Sequence, residues 1–184
     1  FGPVYRVLKE LEEAGRVRRG WFCDGLSGAQ FALPGALDRL RAARVEEVPV
    51  DSYGPDQVRI LAAIDPANPY GALVPWPAAA GGTGPRRMPE AWAVLVAGAP
   101  VVFVGPGGQQ VLTFPSSCTD LGGELALALA ALQRLPHRLR RRPHLAIREL
   151  DGVPAPQSPL RETLLAAGVV LDYDAWVPAG RSQG

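Results

Sequence analysis

The densest chemistry in this chain is cationic. Arg134, Arg138, Arg140, Arg141, Arg142 and Arg148 fall within one stretch with His137 and His144, and no acid interrupts it until Glu149. A guanidinium stays charged at any physiological pH and presents a fork of donors that matches phosphate. A run of them neutralises several phosphates and binds polyanion with a steep salt dependence. Nearer the start, Arg6 and Lys9 precede a second cluster, Arg16, Arg18 and Arg19, which runs into Trp21 and Phe22. Cations beside an exposed aromatic suit backbone contact and base stacking. The alternative for both clusters is a solvated face, or arginines paired with acids. Glu10, Glu12 and Glu13 supply such acids, and would repel phosphates if they faced them.

A different chemistry is offered by Asp172 and Asp174, which flank Tyr173. A carboxylate among basic and aromatic groups can stabilise a sugar cation or activate water during base removal, which makes these two the catalytic candidates. The alternative is ordinary turn chemistry. Other reaction classes lack their residues. No G-x-x-x-x-G-K-[ST] phosphate loop and no G-x-S-x-G nucleophile elbow occurs. Gly105-Pro106-Gly107-Gly108 lies between expected strands and reads as a hairpin turn, not a dinucleotide cradle. No metal site is expected, since His137 and His144 have no acidic or thiol partner nearby.

The elements that must position these groups follow from periodicity. Val4, Val7, Leu8 and Leu11 repeat at helical spacing, Pro3 suits a first turn, and Gly15 suits a C-terminal cap. Alternation through Arg16–Phe22, turn residues at Asp24-Gly25 and Ser27-Gly28, and a return over Ala29–Leu33 predict a hairpin. A helix followed by a basic hairpin is the C-terminal half of a winged helix, recognition helix then wing, with a further helix over Ala36–Arg44. The helices that precede such a pair are missing, so the chain is expected to begin inside a larger protein.

Residues 45–57 read as a linker. Beyond it, Val58–Ile64, Ala91–Val96, Val101–Val104 and Gln109–Phe114 are expected strands joined partly by short turns, which implies antiparallel pairing. Leu73–Pro77 is a further short strand, and Ala78–Pro89 a flexible glycine-containing loop. A helix over Leu121–Leu135 starts at Thr119 or Asp120, and its ALALALAAL run suggests burial nearly all round. His144–Leu150 is a strand. A helix over Leu160–Ala167 is capped by Ser158, and Val169–Leu171 with Ala175–Val177 closes the sheet. The fold class expected is α+β: a partial winged helix over 1–44, the linker, a mainly antiparallel β-barrel module with added helices over 58–178, and a frayed tail over 179–184. Most aromatics belong to its core, with Trp21 and Tyr70 as the exposed stacking candidates.

The bulk numbers agree with this plan. A chain of 184 residues with 47% apolar content can bury a core, while 19 Pro and 21 Gly imply many turns. A net charge of +1 argues against a protein that coats nucleic acid over its whole surface, so the clustering of charge is what matters. Two isolated cysteines, Cys23 and Cys118, together with no signal peptide and no membrane-spanning run, suggest a cytoplasmic protein without a membrane partner.

Three blocks carry a resemblance to a known family. Val4–Gly20 (VYRVLKELEEAGRVRRG) with Gly28–Pro34 (GAQFALP) is the first; Asp65–Ala72 (DPANPYGA) with Pro75-Trp76-Pro77 is the second; Gly152–Gly168, around Ser158-Pro159-Leu160, is a looser third. They resemble the C-terminal part of large helicase-related (Lhr-type) bacterial helicases. The resemblance implies an ATP-dependent superfamily 2 helicase of 3′–5′ direction that moves on single-stranded DNA, unwinds duplexes and RNA–DNA hybrids, and serves DNA repair. It places two RecA-like motor domains, with their ATP and Mg, upstream, so this segment itself needs no cofactor. Its expected partners are DNA, the rest of the same polypeptide, and in one alternative a second copy of itself. The tail also resembles winged-helix DNA glycosylases in architecture, which is the enzymatic alternative. Neither Asp172 nor Asp174 matches a glycosylase motif, and the neighbourhood of Gln30 lacks a second glutamine.

Overall fold

The computed structural model describes residues 2–42, 49–135 and 145–179. The chain forms two compact units, residues 1–47 and 48–184.

In the first unit, helix α1 (Gly2–Glu13) leads through a turn at Gly15, whose φ of 69° is the left-handed conformation a C-terminal glycine supplies, into strand β1 (Arg18–Gly20). Strand β2 (Gln30–Ala32) returns antiparallel, pairing Arg18 with Ala32 and Gly20 with Gln30, and helix α2 (Pro34–Ala42) follows. The apolar stripe of α1 is only half used. Leu8 and Leu11 are partly covered, whereas Val4 and Val7 are 57% and 54% exposed.

The second unit is built on a six-stranded sheet of order β3-β4-β5-β6-β7-β8. Its strands are β3 (Val58–Ala62), β4 (Trp92–Val96), β5 (Ala99–Val104), β6 (Gln110–Thr113), β7 (Glu149–Leu150) and β8 (Val153–Pro154). All neighbours pair antiparallel except β6 and β7, which run parallel. Strands β4 and β5 are almost wholly buried, as their unbroken Val/Leu/Phe runs require.

Helix α3 (Leu121–Ala131) packs against β3, β4 and β5, burying Leu125, Ala128 and Leu129. Each such leucine contributes about 1.5–3 kcal/mol over exposure. Asp120 starts α3 by accepting from the N–H groups of Gly122 and Gly123, and the buried Glu124 carboxylate accepts from those of Thr119 and Asp120. This reciprocal capping satisfies otherwise orphaned donors at the helix start. Helix α4 (Arg161–Ala166) and a separate hairpin of β9 (Val169–Asp172) and β10 (Ala175–Pro178) complete the unit. The hairpin joins the rest through Ile147 and Trp176, whose backbones exchange two hydrogen bonds.

Several expectations are corrected. The expected barrel does not form: β3 and β8 end the main sheet, and β9–β10 is a sheet of its own. Closure needs staggered hydrogen bonding around the full ring, and β7 and β8, two residues each, are too short to carry a seam. Leu73–Pro77 is not a strand; Val74 bridges back to Tyr70 within a tight turn. The expected helix over 121–135 tightens into a 3-10 turn at Leu132–Arg134. Ser158 precedes α4 by more than one position, its hydroxyl accepting from the Leu160 N–H, and Leu160 takes the cap position. The glycine-containing loop expected to be free lies against the sheet: Ala80 donates to the Thr113 carbonyl, and a Cβ on Gly81 would meet the Asp151 carbonyl at 2.3 Å.

Candidate nucleic-acid interface

In the first unit, one half-buried side-chain amide organises the wing. The Gln30 side-chain oxygen accepts from the N–H groups of Phe22 and Cys23, each at 2.8 Å. Its nitrogen donates to the carbonyls of Cys23 at 2.9 Å and Leu26 at 3.1 Å. All four hydrogen-bonding capacities of the amide are used on the loop between β1 and β2. Gln30, the one glutamine of this neighbourhood, is therefore a turn-former. The loop so fixed holds Trp21 out to solvent at 81% exposure.

The cations of this unit fall into two groups. Arg6 pairs with Glu10 at 3.6 Å and Lys9 with Glu13 at 3.9 Å, both one helical turn apart on α1. Arg19 reaches Glu12 at 3.4 Å and lies 3.5 Å from the Tyr5 hydroxyl, tying β1 to α1, while Tyr5 packs edge-on against Phe31 at 6.0 Å. Exposed pairs of this kind contribute about 0–1 kcal/mol, so a phosphate can displace the glutamates. Arg16 and Arg18 are exposed and make no ion pair among the described residues. Arg18, Trp21 and Arg16 are thus the groups of the wing free for a polyanion without first breaking a contact.

In the second unit the Arg138, Arg140, Arg141 and Arg142 cluster lies outside the described residues. Its flanks are described. Arg134 is exposed and shares a shallow depression with Arg59 at the edge strand β3. Arg59 came with no sequence signal, because a single arginine in a strand looks like any solvated side chain. Arg148 forms an ion pair with Asp174 across the β9–β10 hairpin end.

That pair decides the surroundings of the two aspartates. Asp172 and Asp174 flank Tyr173, which is 97% exposed with φ 56°, at the open tip of the hairpin. Asp172 is exposed, and the Asp174 carboxylate is half-exposed and held by a guanidinium. The aspartates belong to the second unit, whereas Trp21 and the wing arginines belong to the first.

Tyr70, expected as an exposed stacking residue, is structural instead. Its ring stacks on Trp76 at 5.7 Å, its hydroxyl donates to the Gly98 carbonyl at 3.2 Å, and burial raises its pKa. Trp76 in turn stacks on Phe114 and meets Phe103 edge-on. The DPANPYG segment wraps this cluster. Buried Asn68 donates to the Ala63 carbonyl, and Arg87 donates to the carbonyls of Asp65, Asn68 and Tyr70. The second block of resemblance therefore builds a scaffold, not a contact surface. Among the described residues no cluster of His, Cys, Asp and Glu could hold a metal, and no helix is long and apolar enough to cross a membrane.

Comparison with known proteins gives this geometry a context. Residues 1–51 match a family described as large helicase-related protein, winged-helix domain. A Mycolicibacterium smegmatis protein named "Lhr helicase/ probable uracil glycosylase" is 36% identical over 179 residues, which cover 92% of this chain and 11% of that protein. An Escherichia coli K12 protein named "Lhr helicase/uracil glycosylase" is 33% identical over 168 residues, covering 91% of this chain and 10% of the relative. The chain thus spans about a tenth of the length of the curated relatives it matches.

Proposed function

This chain is a C-terminal region of the Lhr type, and from that premise we propose that it grips the sugar–phosphate backbone of DNA for a motor carried elsewhere in the polypeptide. The motor would hydrolyse ATP with Mg and move 3′–5′ on single-stranded DNA, opening duplexes or RNA–DNA hybrids during DNA repair in the cytoplasm. The observation that carries this proposal is the wing: a hairpin whose loop is pinned by Gln30, with Trp21 exposed on that loop and Arg16 and Arg18 exposed before and within its first strand. Arg6, Lys9 and Arg19 join by exchanging their glutamates for phosphate. Arg138, Arg140, Arg141 and Arg142, with Arg134 and Arg59, extend the cationic supply in the second unit.

The test is a salt titration of duplex and single-stranded DNA binding. Each phosphate contact contributes about 0.7–0.9 to the slope of log K against log salt. The double variant Arg16→Ala, Arg18→Ala is expected to lower the slope by about 1.4–1.8, and Arg140→Ala, Arg141→Ala, Arg142→Ala to flatten it further. An unchanged slope in both rejects the backbone role.

A second reading is supported by the names of both relatives, which include uracil glycosylase. In it this region removes a damaged or deaminated base, with Asp172 or Asp174 near the chemistry. An abasic-site assay on uracil-containing oligonucleotides separates the readings. Product lost in Asp172→Asn or Asp174→Asn favours it; full product in both variants removes the aspartates from the reaction, and no product from the intact chain leaves the binding role. A third role, assembly of several copies through this segment, is read directly by light scattering.

A further inference from the structure

A depression of about 380 Å³ lies on the wing, lined by Arg19, Gly20, Trp21, Gly28 and Ala29. Its size falls within the range of sites that take a small molecule, and so suits one nucleotide unit. Sheet register builds it. Gly20 pairs with Gln30, so the next residues outward, Trp21 and Ala29, stand at its sides. The ring of Phe22 lies so close to Gly20 that a Cβ there would meet it at 2.9 Å. A Cβ on Gly28 would meet nothing within 4 Å, so that side is open.

The chemistry of the lining is one-sided. The Trp21 side chain is 81% exposed, and Gly20, Gly28 and Ala29 bring no polar side chain beside it. None of the five lining residues carries a carboxylate. The Arg19 guanidinium is engaged by Glu12 at 3.4 Å and lies 3.5 Å from the Tyr5 hydroxyl. Arg16 and Arg18, exposed at the entrance of the same hairpin, supply cations nearby. The backbone that follows Trp21 is held by Gln30 through the N–H groups of Phe22 and Cys23, so the indole has a fixed base before any ligand arrives.

We propose that this depression seats the flat face of one unpaired base on Trp21, whatever the base, so that the wing favours open or frayed strands over closed duplex; the proposal rests on the nucleic-acid role above. In a closed duplex each base face is covered by its neighbours in the stack, and only edges reach the grooves. A π face is free where a strand is unpaired, and every base has one, so stacking on an indole is tolerant of sequence. The lining offers no side-chain donor or acceptor that would select one base over another. Arg16 and Arg18 take the phosphates on either side of the stacked unit. An apolar side chain of another protein would also cover Trp21, but it would leave those two cations without a role.

Trp21 reports on its own occupancy. Trp176 is fully buried and the indole nitrogens of Trp76 and Trp92 are buried, so acrylamide quenching of the whole chain reads chiefly Trp21, assigned with Trp21→Phe. A thymidine dodecamer is expected to shield Trp21 from acrylamide. An abasic strand of the same length, with the same phosphates and no bases, is expected to bind and leave Trp21 quenchable. By anisotropy, Trp21→Ala should weaken the thymidine strand at least about fivefold, the lower end of one lost base stack, and Trp21→Phe should restore most of it. Ala29→Leu, which fills the depression without touching charge, should weaken it similarly. Both losses should be the same factor at every salt concentration, because no phosphate contact is removed. The abasic strand and a blunt hairpin duplex should bind Trp21→Ala as they bind the unaltered chain. Equal shielding by the abasic strand, or an equal loss for the duplex, overturns the proposal. So does self-association that Trp21→Ala abolishes in light scattering without DNA, which would make the ring a protein contact. DNA binding that weakens in Arg16→Ala, Arg18→Ala but leaves Trp21 quenchable refutes the stacking site alone, whereas no binding of any strand refutes the backbone role and the site together.

Discussion

Replacing Gln30 by Ala tests the link from one side chain to the whole wing. The substitution removes four hydrogen bonds: to the N–H groups of Phe22 and Cys23, and to the carbonyls of Cys23 and Leu26. Water replaces partners at exposed groups almost without cost, so the two bonds to Cys23 count for little. The bonds at Phe22 N–H and Leu26 carbonyl are part-buried, and each contributes about 1 kcal/mol net. The loop should therefore lose about 2 kcal/mol of local stability, which corresponds to about 30-fold faster opening. Residue-resolved amide exchange at Phe22 and Cys23 is the assay. The Arg18–Ala32 and Gly20–Gln30 backbone pairing of β1 and β2 remains, so exchange in α1 should change far less. Gln30→Glu sharpens the test, because it keeps an acceptor for the two N–H groups but turns an oxygen against the two carbonyls. DNA affinity should fall with the loss of a fixed Trp21, without a change in formal charge for Gln30→Ala. If exchange at Phe22 and Cys23 is unaltered in Gln30→Ala, the amide does not hold the wing and the reasoning fails.

Other outcomes follow from the same geometry. Gly71→Ala should destabilise the second unit by several kcal/mol, because φ there is 73° and the new Cβ would sit 2.2 Å from the Trp76 indole nitrogen; a thermal transition unchanged within about 1 kcal/mol contradicts this. Cys118 should resist iodoacetamide at pH 8 while exposed Cys23 reacts, because burial, and next the nearby Glu124 carboxylate, push the Cys118 thiol up to about 11, and mass spectrometry of the two peptides reads the order. The same shift has a sign for stability. Between the ordinary thiol range and about 11 the folded chain keeps a proton that the unfolded chain has released, so stability falls as pH rises through that window, and Cys118→Ser should flatten the decline.

Much of the wing was legible without coordinates. Helical spacing, a glycine stop and turn residues are local signals, and α1, β1, β2 and α2 follow from them. The wing cations were legible as well, since charge is a property of the residue. What the string could not show is which cations are engaged. Arg6 and Lys9 face glutamates one turn away, Arg19 faces Glu12, and Arg16 and Arg18 face none among the described residues. The barrel expectation failed for a related reason. Strand signals are local, but closure depends on lengths and tilts summed around a ring, and β7 and β8 are too short to supply it.

By itself, the sequence determined the family, the helix–hairpin start, the strand-rich second unit and the two arginine clusters, because each rests on residue type and short-range spacing. Only tertiary structure assigned Gln30 to the wing, Tyr70 to a stack on Trp76, Asp174 to Arg148, and Gln110 beside Glu149. Those pairings join residues up to 39 positions apart. Their partners are chosen by sheet register and packing, which no local pattern encodes.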